Sequence, residues 1–356
     1  MIILPWQMKK KTAHATLTDV AREAGVGTTT VSRVINGGER VSPETLERVQ
    51  RIIRELRYQP NHAARILKGE RTKTVGLLVP SIADSFFSSC AEVAQEISRS
   101  YDSLLIVASS NNNPQIELDS VNTLIQHRVD GLLIAPSSST SEALMRTLTQ
   151  TAIPIVAFDR PIDDPSIPSV VSNNYKGAKT AVRHLIQHGY KRILCSSYEG
   201  EGDLYTIQER IRGYRHAMQE ANLPCMVDTS IRDYATAEAA VARFMRSADA
   251  PDAIFCLKNI VTIYTYEALQ ALRIRIPASV ALLGFDDFEL ASTLQPAITV
   301  VRQPIEQIGK IAADLLFDRV LPNGKSRGTG NTLAQSKPIK LETTLVVRRS
   351  CGCENG

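Results

Sequence analysis

No apolar run in this 356-residue chain approaches the roughly 18 residues needed to cross a bilayer, which leaves no candidate membrane-spanning helix. The opening MIILPWQMKKK carries its lysines after its apolar residues, the reverse of a secretory signal, and so predicts a chain that stays in the cytosol. The commonest catalytic signatures are missing too: there is no GxSxG elbow, no glycine-rich phosphate loop and no HExxH pair. His14, His62, His127, His184, His188 and His216 are scattered and read mostly as helix exteriors. No CxxC with metal-ligand spacing occurs among the six cysteines. Cys90, Cys195, Cys225 and Cys256 lie in apolar segments and read as buried free thiols; Cys351 and Cys353 form a CxC in the terminal RRSCGCENG, where two thiols alone make a poor metal site and a flexible tail over 351–356 is expected. No leucine heptad follows the body, which argues against an appended tetramerising coiled coil. These absences point away from a membrane protein, a disulfide-stapled secreted domain and an enzyme, and leave no metal or cofactor expected.

What is present is enough chain for two or three domains, with an uneven charge. Thirteen Lys or Arg face seven Asp or Glu between Met8 and Thr72, a surplus of six on a chain whose net charge is +4, so the remainder is slightly acidic. A basic head on a near-neutral body suits a polyanionic partner. Residues 1–15 lack apolar periodicity and read as a disordered arm. From Thr16 apolar residues recur at three- and four-residue steps: Leu17, Val20, Ala21 and Ala24, then Val31, Val34 and Ile35, then Leu46, Val49, Ile52, Ile53 and Leu56. The pattern predicts three short helices within 16–60, the first ended by Gly25 and the third opened by Ser42 as N-cap with Pro43 at its first position.

The middle helix, from about Thr28 to Asn36, buries Val31, Val34 and Ile35. Thr28, Thr29, Ser32 and Arg33 are then directed outward, and with Asn36 at the helix end they are the groups placed to meet a DNA major groove. Arg33 is suited to donate two hydrogen bonds to guanine, and the threonines offer a hydroxyl and a methyl. Asn61 to Gly69, NHAARILKG, reads as an N-cap, about two helical turns and a terminating glycine; so short a helix is marginal alone and needs external support, and 61–73 is expected to be a hinge helix and linker.

Beyond this point β-branched runs alternate with helical stretches, the signature of parallel βαβ units. TVGLLV, SLLIVAS, DGLLIAP, PIVAF, KRILCSS, DAIFCLK and VALLGF read as strands, too many for one comfortable sheet, and PSIPSVVSNN near residue 170 divides them into two sets. The expected fold is an all-α helix-turn-helix headpiece plus an α/β body of two doubly wound parallel-sheet lobes over 74–350. The first lobe takes about 74–171 and 302–335, the second about 172–301 and 336–350, with a ligand crevice at the carboxyl ends of the strands.

The stretch TLTDVAREAGVGTTTVSRVINGGERVSPETLERVQRIIRELRYQPN closely resembles the headpiece of the lactose-repressor (LacI/GalR) family, the blocks DVAREAGV, TVSRVINGG, VSPETLERV and YQPN falling in the family's order and spacing. The body resembles it less tightly, through TVGLLVPSIADSFFSSCAEVAQEI, VDGLLIAPS, IPIVAFDRP, AVRHLIQHGYKRI, ERIRGYRHAM, IPASVALLGFDDFELA and TVVRQPIEQIG. The resemblance implies a periplasmic-binding-protein-like body and a homodimeric regulator, usually a repressor, that grips a palindromic operator in double-stranded DNA and answers to a small-molecule effector. It implies that Leu67 wedges into the minor groove, with Ala64 as the close-packing residue between paired hinge helices. Effector contacts carried over by position are Phe86, Phe87, Asp159, Arg160, Asn173, Asn174, Arg210 and Asp286. A sugar or sugar acid is the expected effector, with a nucleoside, purine or other metabolite as the alternative. A solute-binding protein or a sugar-acting enzyme of the same fold are the rival functions. The chain departs from the family at Gly27, where serine is common, at Asn173, where aspartate is common, and at Lys258 and Asn259 in LKNIVT, where ANDLIA is common.

Overall fold

A computed structural model of the chain describes residues 15–35, 37, 40–58, 71–137, 141–321 and 337–353. The expected arm and hinge helix, together with Asn36, Ala64 and Leu67, lie outside these apart from a few boundary residues. The chain divides into two compact units, 1–72 and 73–356.

The first unit is three helices, α1 (Leu17–Ala24), α2 (Thr28–Ile35) and α3 (Pro43–Glu55). Local chemistry sets their ends. Thr16 and Asp19 exchange hydrogen bonds in a capping box at the start of α1, and Gly25 closes it in the left-handed conformation at φ 63°. The Gly27 carbonyl accepts from the Thr30 and Val31 amides to open α2. The Ser42 hydroxyl accepts from the Thr45 amide, with Pro43 at the first helical position of α3. Val20, Ala21, Ala24, Val31, Val34 and Val49 form the shared core.

The second unit holds two six-stranded sheets. In chain order its strands are β1 (Thr74–Val79), β2 (Leu104–Ser109), β3 (Gly131–Ile134), β4 (Ile155–Phe158), β5 (Ser169–Ser172), β6 (Ile193–Tyr198), β7 (Met226–Ile231), β8 (Ala253–Cys256), β9 (Ala281–Phe285), β10 (Thr299–Arg302), β11 (Ile339–Leu341) and β12 (Thr344–Val346). The helices between them are α4 (Ser85–Ser100), α5 (Pro114–Gln126), α6 (Glu142–Gln150), α7 (Asn174–Gln187), α8 (Tyr205–Glu220), α9 (Tyr234–Met245), α10 (Asn259–Ala271) and α11 (Ile305–Val320). The sheets run β11-β5-β4-β3-β1-β2 and β12-β10-β9-β8-β6-β7, the same order twice, with only the β10–β12 pair antiparallel among the described residues. Order reverses at β1 in one lobe and at β6 in the other, so each sheet has a switch point where ligands of such folds settle.

Alternation along the strands gives each sheet two buried faces. Leu77 and Val79 pack with α4 and α11 in one cluster, while their neighbour Leu78 joins Leu132, Ile134 and Leu144 on the opposite face. In the second lobe Ile193 and Cys195 face α7 and α8, and Leu194 faces α9 and α10.

Three expectations need correction. Residues 339–341 pair with β5 and belong to the first sheet, not the second lobe, because Ile339 and Leu341 complete that lobe's apolar cluster. The tail is packed rather than free as far as it is described: Cys351 is fully buried among second-lobe residues and Ser350 bonds to Leu282. Cys225, read as buried, is exposed. Thus the chain passes between lobes three times among the described residues: from β5 to α7, from β10 to α11, and from β11 to β12.

Candidate functional site: an interlobe cleft and a DNA-facing helix

The carboxyl ends of the strands from both lobes meet at one cavity. Pro80 and Ser81 follow β1, Asn112 follows β2, and Asp159 and Arg160 follow β4; from the second lobe come Glu201 after β6, Lys258 after β8, Asp286 after β9 and Gln303 after β10. Asp159 and Asp286 hold φ of 62° and 77°, a left-handed turn that breaks each strand and that aspartate tolerates better than most side chains. The enclosed space is about 60 Å³, and a second chamber of about 400 Å³ adjoins it, sharing Asn112, Arg160, Glu201 and Leu204.

Arg210, on α8, is the best-held charge in the cavity. Its Nε donates to Asn174 Oδ1 at 2.8 Å and its Nη1 donates to the Leu257 carbonyl at 2.6 Å; Nη1 also lies 3.6 Å from Asp286 Oδ2, and the guanidinium rests over the Phe285 ring at 3.7 Å. Asp286 in turn accepts from Gln303 Nε2 at 2.5 Å. Burial pushes the Asp286 carboxyl above its usual range, with Arg210 opposing the shift. Across the cavity burial pushes Asp159 to about 6, against the pull of Arg160 and Arg210.

Arg160 donates to Asn112 Oδ1 at 2.8 Å and to the Pro136 carbonyl at 3.0 Å, and its Nε sits 3.4 Å from Asp159. Lys258 grips both oxygens of Glu201 at 2.9 and 3.1 Å. Direct contacts tie the lobes at the cleft: Asn112 Nδ2 donates to Glu201 Oε1 at 3.2 Å, and Asn259 Nδ2 donates to Ser85 Oγ at 3.3 Å and to Asp84 Oδ1 at 3.5 Å. The lobes are therefore closed on each other, with charge pairs occupying the cavity. Two buried wall atoms, Arg160 Nε and Gln303 Oε1, have no hydrogen-bond partner among the described residues, which a ligand's polar groups would supply.

Of the effector residues expected from sequence, Phe86, Phe87, Asp159, Arg160, Arg210 and Asp286 line this cavity. The two phenylalanines pack edge to face at 5.0 Å and are largely core, with Phe87 reaching Phe158. Asn174 is off the wall and acts through Arg210, whose Nε it accepts while donating to the Ser172 carbonyl. Asn173 does not line the cavity: it caps α7 by accepting from the Lys176 amide and donates to Glu342. Sequence reading missed Asp84, Asn112, Glu201 and Gln303 as wall residues. Their common signal is position, one to four residues past a strand or at a helix N-cap.

In the head, Thr28, Thr29 and Arg33 are exposed on α2 and Ser32 is half-buried, while Val31 and Val34 are turned into the core. The outward face is thus built from hydroxyls and one guanidinium, groups able to donate and accept at base edges.

Comparison with known proteins agrees with both units. Residues 16–61 match the family described as bacterial regulatory proteins, lacI family. Residues 72–341 match the periplasmic binding proteins and sugar binding domain of the LacI family. The chain is 31% identical over 309 residues to the HTH-type transcriptional repressor PurR of Aliivibrio salmonicida, covering 86% of this chain and 92% of that protein. It is 31% identical over 340 residues to the ribose operon repressor of Haemophilus influenzae, covering 94% and 98%. Among solved structures, the transcriptional regulator CelR–cellobiose complex aligns at a TM-score of 0.65 with 30% identity, over 94% of this chain and 99% of that one. The lac repressor dimer bound to operator shares the fold at a TM-score of 0.81 and 21% identity, over 95% and 99%. A capped three-helix head, twin parallel sheets around a charged cleft and these matches along nearly the whole chain agree: the protein belongs to the LacI family of effector-controlled, DNA-binding transcription regulators.

Proposed function

We propose that this regulator is a cytoplasmic homodimeric repressor that binds a palindromic operator through 16–60, and that its effector is a non-phosphorylated polyhydroxylated sugar or sugar acid. It turns nothing over. The observation carrying the effector class is the cavity wall, where the carboxylates of Asp84, Asp159, Glu201 and Asp286 face the cations of Arg160, Arg210 and Lys258. Hydroxyls both donate and accept, so a polyol can satisfy such a mixed wall, whereas a phosphate would meet four carboxylates. Phe86, Phe87, Asp159, Arg160, Arg210 and Asp286 are the contacts, Asn174 the positioning residue, and Asn173 drops to a capping role. Cellobiose with CelR and the ribose operon of the Haemophilus relative fit this class; PurR relatives keep a purine as the competing outcome.

Dimer formation is supported by the free edge of the first sheet. Strand β2 exposes Leu104, Ile106 and Val107, and Ile82 and Ile116 add to the exposed apolar surface of that lobe. Such residues on an unpaired edge call for a cover. Thr28, Thr29, Ser32, Arg33 and Asn36 are the base-reading set, and Ala64 and Leu67 the minor-groove pair.

The decisive experiment is operator binding by fluorescence anisotropy against a panel of neutral sugars, aldonic and uronic acids, sugar phosphates and purine bases. A neutral or acidic polyol should shift operator affinity by the 5- to 150-fold typical of coupled sites, roughly 1–3 kcal/mol. A response confined to purines or phosphorylated sugars would overturn the effector class while leaving the DNA-binding reading intact.

A further inference from the structure

Helix α7 carries His184 near its end and His188 as its C-cap, four residues on and so beside the same helix face. The chain's last described turn folds back onto that face. Cys351 Sγ lies 3.2 Å from His184 Nε2, Cys353 Sγ lies 3.2 Å from His188 Nε2 and 3.8 Å from His184 Nε2, and the two sulfurs are 3.5 Å apart. The ligand atoms of His184, His188 and Cys353 all fall within 4.8 Å of one another. More than 160 residues separate the two pairs in sequence, so neither the HxxxH of HLIQH nor the CGC of the tail carries the arrangement alone.

We propose that His184, His188, Cys351 and Cys353 form a structural zinc site that clips the carboxyl-terminal tail to the second lobe. Two imidazoles and two thiolates are a donor set that selects zinc over oxygen-seeking magnesium or calcium, and four protein ligands leave no open position for catalysis. With metal–sulfur and metal–nitrogen bonds of about 2.3 and 2.0–2.1 Å, a tetrahedral Cys2His2 site has edges of roughly 3.3–3.8 Å. The four contacts above are four of the site's six edges and lie within a few tenths of an ångström of that range, Cys351 joining the His184–His188–Cys353 group through His184 and Cys353.

The turn between the sulfurs is built for this approach. Gly352 sits at φ 93°, and a Cβ there would come within 2.9 Å of the Tyr190 hydroxyl, which itself donates to the Cys351 carbonyl at 3.2 Å. Both the left-handed backbone and the crowded space call for glycine between the cysteines. Cys351 is fully buried and Cys353 half-buried, so the site has one wall in the second-lobe core and one mouth toward solvent. The match to the family's effector-domain model ends at residue 341, which leaves this tail outside it. The consequence is mechanical: residues 351–353 are tied to the helix whose first residue, Asn174, holds Arg210. This inference is independent of the effector's identity.

The test is metal content of the full-length protein, purified without a histidine tag or added metal and then reconstituted with Zn2+ after chelation. About one zinc per chain is expected, falling below about a tenth in His188→Ala and Cys353→Ser, the two more exposed members, and unchanged in a Cys225→Ser control. Substitution with Co2+ should give the visible bands of a tetrahedral ion together with a thiolate charge-transfer band, and chelation should lower the melting temperature of the wild type but not of Cys353→Ser. The site is refuted if the reconstituted wild type holds no stoichiometric zinc, if either variant keeps it, or if intact-mass measurement of fresh protein finds Cys351 and Cys353 joined as a disulfide.

Discussion

Arg210→Ala is the most informative single change, because the structure gives this residue two jobs. Its guanidinium is buried, donates to Asn174 and to the Leu257 carbonyl, and faces Asp286 at 3.6 Å. Truncation leaves a buried carboxylate without its cation, and breaking a buried pair from one side costs about 3–5 kcal/mol. The two lost hydrogen bonds are not added to that figure, since all three interactions share one side chain and do not sum. The expected result in urea denaturation is therefore a body destabilised by several kcal/mol, with part of the loss restored in Arg210→Ala/Asp286→Asn, where the orphaned charge is gone. Effector affinity should fall by at least thirtyfold, from a loss of about 2 kcal/mol or more. If Arg210→Ala unfolds within about 0.5 kcal/mol of wild type, as an ordinary surface change would, the charge-pair account is wrong. If stability falls while effector Kd is untouched, Arg210 is a structural residue and the cavity is not the sensing site.

Arg33→Ala should cost about 1–3 kcal/mol on the cognate operator and little on random DNA, measured by anisotropy at fixed salt; an equal loss on both would make Arg33 a phosphate contact. Gly213→Ala should destabilise the second lobe by about 1–3 kcal/mol or more, because the new Cβ would lie 2.3 Å from the Tyr175 carbonyl oxygen where α7 and α8 pack; a wild-type melting temperature would show that the helices part freely. Asp159, raised to about 6 in the folded protein, binds its proton more tightly there than in the unfolded chain, so its stabilising contribution is complete below about pH 4 and lost as pH rises through 6. Asp159→Asn should accordingly be more stable than wild type at pH 7, with the gap closing toward pH 4; a gap that does not vary across this window would mean that Asp159 is not the buried acid responsible.

Much of the molecule was legible in one dimension because its rules are local. The helix ends at Thr16, Gly25, Ser42 and Pro43 are set by side chains within three residues of the backbone they cap. The long strands announce themselves as β-branched runs such as TVGLLV. The strands that the sequence conceals are those without such a run: Ser169–Ser172 sits among prolines, Met226–Ile231 has its apolar residues interrupted by Asp228, Thr229 and Ser230 on an edge, and Ile339–Leu341 and Thr344–Val346 are three residues each. Helix Glu142–Gln150 is only nine residues long and follows the small polar run SSSTS, which masks its start.

Tertiary structure alone decided the matters that depend on groups far apart in the chain. Whether an asparagine after β5 faces the ligand or caps a helix turned on one residue, and the fold gave Asn174 to Arg210 and Asn173 to the α7 backbone. Residues 339–341 joined the first sheet because β5 presented the edge they complete. The terminal cysteines looked like loose thiols until His184 and His188, more than 160 residues earlier, came within hydrogen-bond distance of them. Sequence by itself determined the three helices of the head, the long apolar strands of the body and the charge of the head, since those rest on periodicity and near neighbours. The membership of the cavity and of the cysteine–histidine cluster rests on side chains brought together only when two sheets and three crossings close the body.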